Sequence, residues 1–233
     1  MSIKENIDGV LERVAAAARR SGRSPEDVKV IAVSKTVDAQ RAREAVEGGL
    51  INLGENRVQE LVSKYEQLSD IDVKWHLIGH LQRNKVKYII DKVVLIHSLE
   101  SLDLAKEINK RALQHNMTAN VLIELNIGQE ESKFGLDEDS VYDFVKSMEQ
   151  FANIKVLGLM TVAPFSENPE NVRCVFRKMK EIFDKISEMK LTNTEMKYLS
   201  MGMTNDFEIA IEEGANMVRI GTAIFGKRIY KTF

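Results

Sequence analysis

Cysteine is almost absent: Cys174 is the only one in 233 residues. An intrachain disulfide and a cysteine-built metal site are therefore excluded. Proline occurs three times, and no Pro-, Gly- or Ser-rich linker or low-complexity tract interrupts the chain. Nothing marks a domain boundary, and residues 1–233 read as one domain. Charge of one sign is not in excess, with 33 Lys and Arg against 35 Asp and Glu, a net of −2. That balance gives no general pull toward nucleic acid or an anionic membrane. No apolar run approaches the roughly 18 residues of a membrane span. The N-terminal MSIKENIDGVLERVAAAARR is broken by charges and is no signal peptide. A reducing, cytoplasmic setting is expected. Cys174 lies in the helical pattern RCVFRKMKEIF and is expected to be a buried spectator.

A rhythm of short apolar strands and amphipathic helices fills the chain instead. Ile3, Ile7, Val10, Leu11 and Val14 share one face of a first helix, which Ser2 and Glu5 open as a capping box. The strands then read VKVIAVSK, INLGE, WHLIG, VVLIHSL, NVLIELNI, KVLGLMTV, KYLSMG and MVRIGTAIFG. Helical patterns separate them, including QRNKVKYII after the third. Strands alternating with helices imply a parallel sheet with right-handed crossovers. Eight such units predict an α/β fold, a single (β/α)8 TIM-type barrel with an extra N-terminal helix. An open doubly wound sheet obeys the same alternation.

Ligands of such folds sit at the carboxyl ends of the strands. Strand one ends at Ser34-Lys35, strand two at Glu55-Asn56, and strand three carries His76 and ends at Gly79-His80. Lys35 is the most informative residue. A partly desolvated lysine amine is a nucleophile able to form a Schiff base with a carbonyl, although a strand-end lysine can equally turn outward. The segments SMGMT and RIGTAIFG after strands seven and eight supply Gly202, Gly221 and the hydroxyls of Ser200, Thr204 and Thr222. Such loops, with a helix start behind them, suit a phosphate. Asn205 and Glu208 also resemble a capping box, and Asp206 and Glu208 are expected to point away from an anion. Arg219 interrupts an apolar strand and requires a partner, either Glu55, Glu124 or a ligand. Lys35 opposite two anion-binding loops suggests a phosphorylated carbonyl compound.

The blocks VIAVSKT, LGENRVQE, WHLIGHLQRNK, KFGL, GLMTVAP, LSMGMTND and VRIGTAIFG occur in order over nearly the whole chain. By them the chain resembles the pyridoxal phosphate homeostasis protein family, whose barrel is like the N-terminal part of alanine racemase. Thr204 stands where the family more often has serine. The resemblance implies pyridoxal 5′-phosphate (PLP) held by Lys35 as a lysine aldimine. It implies a phosphate cradle of Ser200, Gly221 and Thr222, and Arg219 facing the pyridine nitrogen. Asn56, His76 and Met201 are expected to line the ring pocket.

A guanidinium beside the pyridine nitrogen opposes its protonation and makes the ring a poorer electron sink. Racemases of similar fold add a β-rich domain with a tyrosine acid/base. This sequence runs only to Phe233, and Tyr65, Tyr88, Tyr142, Tyr198 and Tyr230 fall away from the strand ends. A PLP carrier serving intracellular vitamin B6 homeostasis, without robust catalysis, is the expected function. It is expected to act as a monomer that passes PLP to PLP-dependent client enzymes. The alternatives are a compact PLP-dependent amino-acid racemase, with His76 or His80 as second base, and a Schiff-base aldolase on phosphorylated sugars. The basic run QRNKVKY reads as a solvated helix face or a client-docking surface, not a nucleic-acid patch, and the spacing of His76 and His80 on a strand does not imply zinc.

Overall fold

The computed structural model describes residues 2–128 and 134–226. Eight parallel strands follow one another around a closed barrel, and β1 (Lys29–Val33) seals it against β8 (Met217–Ile220). Between them lie β2 (Asn52–Glu55), β3 (Lys74–Leu77), β4 (Val93–Leu99), β5 (Ala119–Leu125), β6 (Ile154–Thr161) and β7 (Thr194–Ser200). This is the TIM-type α/β barrel that the alternation predicts. Among the described residues no helix is long and apolar enough to cross a membrane. The KFGL block begins at Lys133, which lies outside the described residues, as does Tyr230.

Strand parity divides the hydrophobic residues into two cores. Ile31, Leu95, Leu122, Met160 and Met217 point inward and fill the lower barrel. Their neighbours in sequence point outward and join the helices in a larger shell. On β1, Ile31 belongs to the inner set, Ala32 to the outer shell, and Val33 and Lys35 reach a cavity at the top. Apolar positions on both sides of a strand explain why its sequence reads as a continuous hydrophobic run.

The outer helices are α2 (Ala39–Glu47), α3 (Val58–Gln67), α4 (Leu102–Gln114), α5 (Glu138–Ser147), α6 (Arg173–Glu188), α7 (Phe207–Glu212) and α8 (Thr222–Phe225). The extra helix α1 (Ile3–Arg20) precedes them and has the expected Ser2–Glu5 capping box. Because α8 is a single turn, α1 packs beside α8, α7 and α2. Ile3, Ile7, Val10 and Val14 are buried there, and each such side chain contributes about 2 kcal/mol. Leu11, expected on that face, is 40% exposed. Asn6 Nδ2 donates to the Ile224 carbonyl at 2.9 Å, and Arg13 and Arg20 pair with Glu208 and Glu212 of α7.

Two further expectations are corrected. QRNKVKYII does not form an α-helix; a 3-10 segment spans Arg83–Tyr88, with Val86 its buried residue, as befits a short connector. Cys174 is exposed, its Sγ facing the Asn171 carbonyl at 3.7 Å. The buried stripe of α6 is Phe176, Met179, Ile182 and Ile186, and Cys174 falls on the opposite side of the 3.6-residue period.

Gly202 ends the β7 segment with φ +91, and a Cβ there would come within 2.6 Å of Ala210 Cβ and 2.9 Å of Phe207 Cα. The residue is glycine because α7 packs directly on the turn, rather than to admit an anion. Gly202→Ala is expected to destabilise the protein by about 2–4 kcal/mol, combining left-handed strain with the clash. Urea unfolding of the two proteins measures it, and a difference below about 0.5 kcal/mol would contradict this packing.

Candidate functional site

A cavity of about 450 Å³ opens at the carboxyl end of the strands, within the size range of small-molecule sites. Its polar lining includes Lys35, Asn56, Thr204, Arg219, Gly221 and Thr222. All six were named from the sequence, Thr204 as a loop hydroxyl, and they come from β8 and the segments after β1, β2, β7 and β8. The apolar wall comes from Val33, Ile78, Val162, Pro164, Phe165 and Met203.

Lys35 enters the cavity from the turn that ends β1. Its neighbour Thr36 has φ +63, a strained conformation for a β-branched residue. Gly221 caps α8, where the N–H groups of Ile224 and Phe225 bond back to its carbonyl at 3.0 and 2.9 Å. The N–H groups ahead of these have no intrahelical acceptor, as at every helix start. The Thr222 hydroxyl stands at the same place, and Thr204 adds a second hydroxyl from the opposite loop.

Arg219 forms the floor of the cavity and is 4% exposed. Its Nη1 donates to Ser200 Oγ at 2.7 Å and its Nη2 to the Thr161 carbonyl at 2.8 Å. A guanidinium has five N–H donors, so these two bonds leave donors for a ligand atom. Burial pulls its pKa down to about 10, opposed by the carboxylates of Glu124 and Asp206. It remains cationic at neutral pH. Of the partners considered from sequence, Glu124 acts at a distance, whereas Glu55 is engaged by Lys64 at 2.7 Å.

Ser200, His76 and Met201 are not brought to the cavity lining. Ser200 and His76 lie buried in a polar layer beneath it. Arg219 can only donate, so Ser200 Oγ accepts from it and passes its own proton to His97 Nδ1 at 3.2 Å. His97 Nε2 then donates to His76 Nδ1 at 3.0 Å, and His76 Nε2 donates to Asn52 Oδ1 at 3.2 Å. Burial, reinforced by nearby cations, lowers both imidazoles, His76 to about 3 and His97 well below its ordinary value. Both are neutral, which removes His76 as an acid/base. His80 is exposed, paired with Glu100 at 2.8 Å and stacked on Phe134. Met201 has the outward parity of β7 and belongs to the outer core.

The loop after β7 corrects two more expectations. Asp206 lines the cavity rather than pointing away, with one carboxylate oxygen accepting from Met203 N–H at 2.6 Å. Burial raises its pKa, and the Met203 hydrogen bond opposes the rise. Glu208 does turn away, to Arg13. No Asn205–Glu208 capping box forms; α7 starts after Asp206. The hydroxyl presented to the cavity by this loop is Thr204, not Ser200. Ser200 has the inward parity of β7 but is covered by its bonds to Arg219 and His97.

A family model described as alanine racemase, N-terminal domain, matches residues 6–229. A protein of Aquifex aeolicus described as "pyridoxal phosphate homeostasis protein" is 49% identical over 230 residues, covering 99% of this chain and 100% of that protein. The structure of PipY from Synechococcus elongatus with PLP bound matches with a TM-score of 0.81 at 31% identity, over 93% of this chain and 100% of that one. An alanine racemase of Corynebacterium glutamicum matches with a TM-score of 0.68 at 17% identity, over 97% of this chain and 62% of the racemase. The last is a likeness of fold.

Glu124 stands near Arg219, and its Oε2 is sealed from solvent without a hydrogen-bond partner. Burial, with the nearby charge of Glu100, lifts its pKa to about 7 against the pull of Arg219. A raised carboxyl pKa means the folded state binds the extra proton, so the penalty is full above pH 7 and fades toward the unfolded value near 4.5. Glu124→Gln is therefore expected to stabilise the protein by about 2–3 kcal/mol at pH 8 and by roughly a quarter of that at pH 5. Thermal unfolding at the two pH values checks it, and an equal effect at both would refute the assignment.

Proposed function

The chain belongs to the pyridoxal phosphate homeostasis protein family, and on that premise we infer that its cavity binds PLP and that the protein works as a PLP carrier. The observation that carries this reading is the gathering of a lysine amine, a buried arginine and a hydroxyl-flanked helix start around one cavity. These donors suit an aldehyde, a ring nitrogen and a phosphate respectively. PLP, when bound, supplies an aldehyde whose carbon condenses with an amine and whose oxygen leaves as water. In this reading Lys35 would provide that amine. Thr204, Thr222 and the first N–H groups of α8 hold the phosphate. Arg219 faces the pyridine nitrogen and opposes its protonation. Asn56 borders the ring. Ser200 and His76 serve indirectly, by fixing Arg219 from below.

The carrier role is supported by the proton-transfer groups in the wall. Among the described lining residues the ionisable ones are Lys35, Asp206 and Arg219, with no tyrosine, histidine or cysteine. One oxygen of Asp206 is committed to the loop through Met203 N–H, and burial favours its protonated form. Racemisation needs proton exchange on both faces of a substrate, and this wall offers a plausible base only at Lys35. The protein then acts as a cytoplasmic monomer that limits free aldehyde and delivers PLP to client enzymes.

Borohydride reduction of the protein mixed with PLP, followed by peptide mass analysis, tests the site. The wild type is expected to carry the pyridoxyl mass on Lys35, and Lys35→Ala to lose it. An unlabelled wild type would overturn the reading. Assays of L- and D-amino-acid interconversion are expected to give rates no higher than free PLP. A Lys35-dependent rate well above that would make the protein a racemase.

A further inference from the structure

The peptide on either side of Lys35 is gripped by a buried charge cluster set behind the cavity wall. Lys64 projects from α3 and its side chain is 5% exposed. Its ammonium donates to the Ser34 carbonyl at 2.6 Å, to Glu55 Oε1 at 2.7 Å and to Glu60 Oε1 at 2.9 Å. An ammonium has three donors, so all are committed. Ser34 Oγ donates to the same Glu55 oxygen at 2.6 Å. Glu60 Oε1 accepts the N–H of Thr36. Val37 N–H closes the turn on the Ser34 carbonyl at 3.0 Å. The residue before Lys35 is thus held at its carbonyl and its hydroxyl, and the residue after it at its N–H.

Stability alone is a poor reason for this arrangement. A buried ion pair commonly contributes no more than well-packed apolar residues of the same volume. This one also leaves Glu55 Oε2 buried without a partner. Burial keeps the Glu55 pKa raised even though Lys64 and Ser34 lower it. What the cluster does secure is a conformation that the turn would not adopt unaided, the left-handed φ of +63 at Thr36. That conformation decides the direction in which the Lys35 side chain leaves the backbone.

We propose that Lys64, with Glu55 and Glu60, is a positioning group that aims the Lys35 amine at the carbonyl carbon of the ligand. The proposal rests on the PLP reading of the cavity. None of the three residues lines the cavity. They act through the Ser34–Thr36 backbone, and their effect belongs to bond formation at Lys35 rather than to the phosphate site.

Two ligands separate those effects. PLP reports amine attack, and pyridoxine 5′-phosphate, which has no aldehyde, reports non-covalent binding alone. The double variant Lys64→Met/Glu55→Gln removes the buried ion pair; half-buried Glu60 loses its cation but keeps the Thr36 N–H. Its borohydride-trappable adduct at Lys35 is expected to form on the order of 10- to 100-fold more slowly than in the wild type, since small misplacements of a reacting group cost that much. Its affinity for pyridoxine 5′-phosphate is expected to stay unchanged. Should the double variant not fold, Glu60→Leu, at a half-buried site, releases Thr36 alone and is expected to slow trapping in the same direction, again without loss of pyridoxine 5′-phosphate. Unchanged trapping rates in the folded variant would overturn the positioning role. So would parallel loss of both ligands, which marks a general structural defect. Absence of any adduct in the wild type overturns the PLP reading together with this proposal, and is distinguishable because it appears before any substitution is made.

Discussion

The register in which β1 closes on β8 is the constraint on which the site depends. Ile31 lies opposite Arg219, and Ala32 opposite Ile220. Moving up two residues on each strand brings Val33 beside Gly221 at the cavity wall. Lys35 then stands one layer above, beside the start of α8. Residues far apart in the chain thereby become neighbours around one cavity. A slip of one residue would turn Ser34 inward and send Lys35 toward the helices, because side chains alternate strictly along a strand.

The barrel interior is filled in two different ways. Its lower part is apolar, as is usual for the fold, with Ile31, Leu95, Leu122, Met160 and Met217 in contact. A run of donors and acceptors crosses the rest, descending from Arg219 through Ser200, His97 and His76 to Asn52 at the start of β2. Such a layer is costly unless every member is satisfied. The direction of each hydrogen bond follows from the two ends, because Arg219 can only donate and Asn52 Oδ1 only accepts. The result is a rigid support for a buried cation directly beneath the cavity. Two neutral histidines hold it without competing for its charge.

Much of this was legible in the chain. The eight alternations identified the barrel, since local hydrophobic period reports which face of an element is covered. Strand-end position brought out Lys35, Thr204, Gly221 and Thr222, the break in an apolar strand brought out Arg219, and the family resemblance added Asn56. The less successful assignments share one cause. His76, Ser200 and Met201 are near the right strand ends, but height within the barrel and parity separate them from the cavity. Cys174 was misplaced because a helical pattern with several apolar residues does not itself say where the buried stripe is centred. Asp206 looked repulsive to an anion because its bond to Met203 N–H could not be seen.

Lys64 shows the boundary most clearly. In sequence it is one lysine in an amphipathic helix, with every reason to lie in solvent. Its burial requires α3 to pack so that Glu55 from β2 and Ser34 from the turn after β1 meet at the same point. The sequence by itself determined the class of fold, the order of its elements and the kinds of group available at the strand ends, because these depend on short-range periodicity and side-chain chemistry. Only the tertiary structure decided which of those groups share a cavity, which support it from below and which brace the backbone behind Lys35. Those relations depend on strand register and helix docking, where contacts distant in the chain set positions to within a hydrogen-bond length.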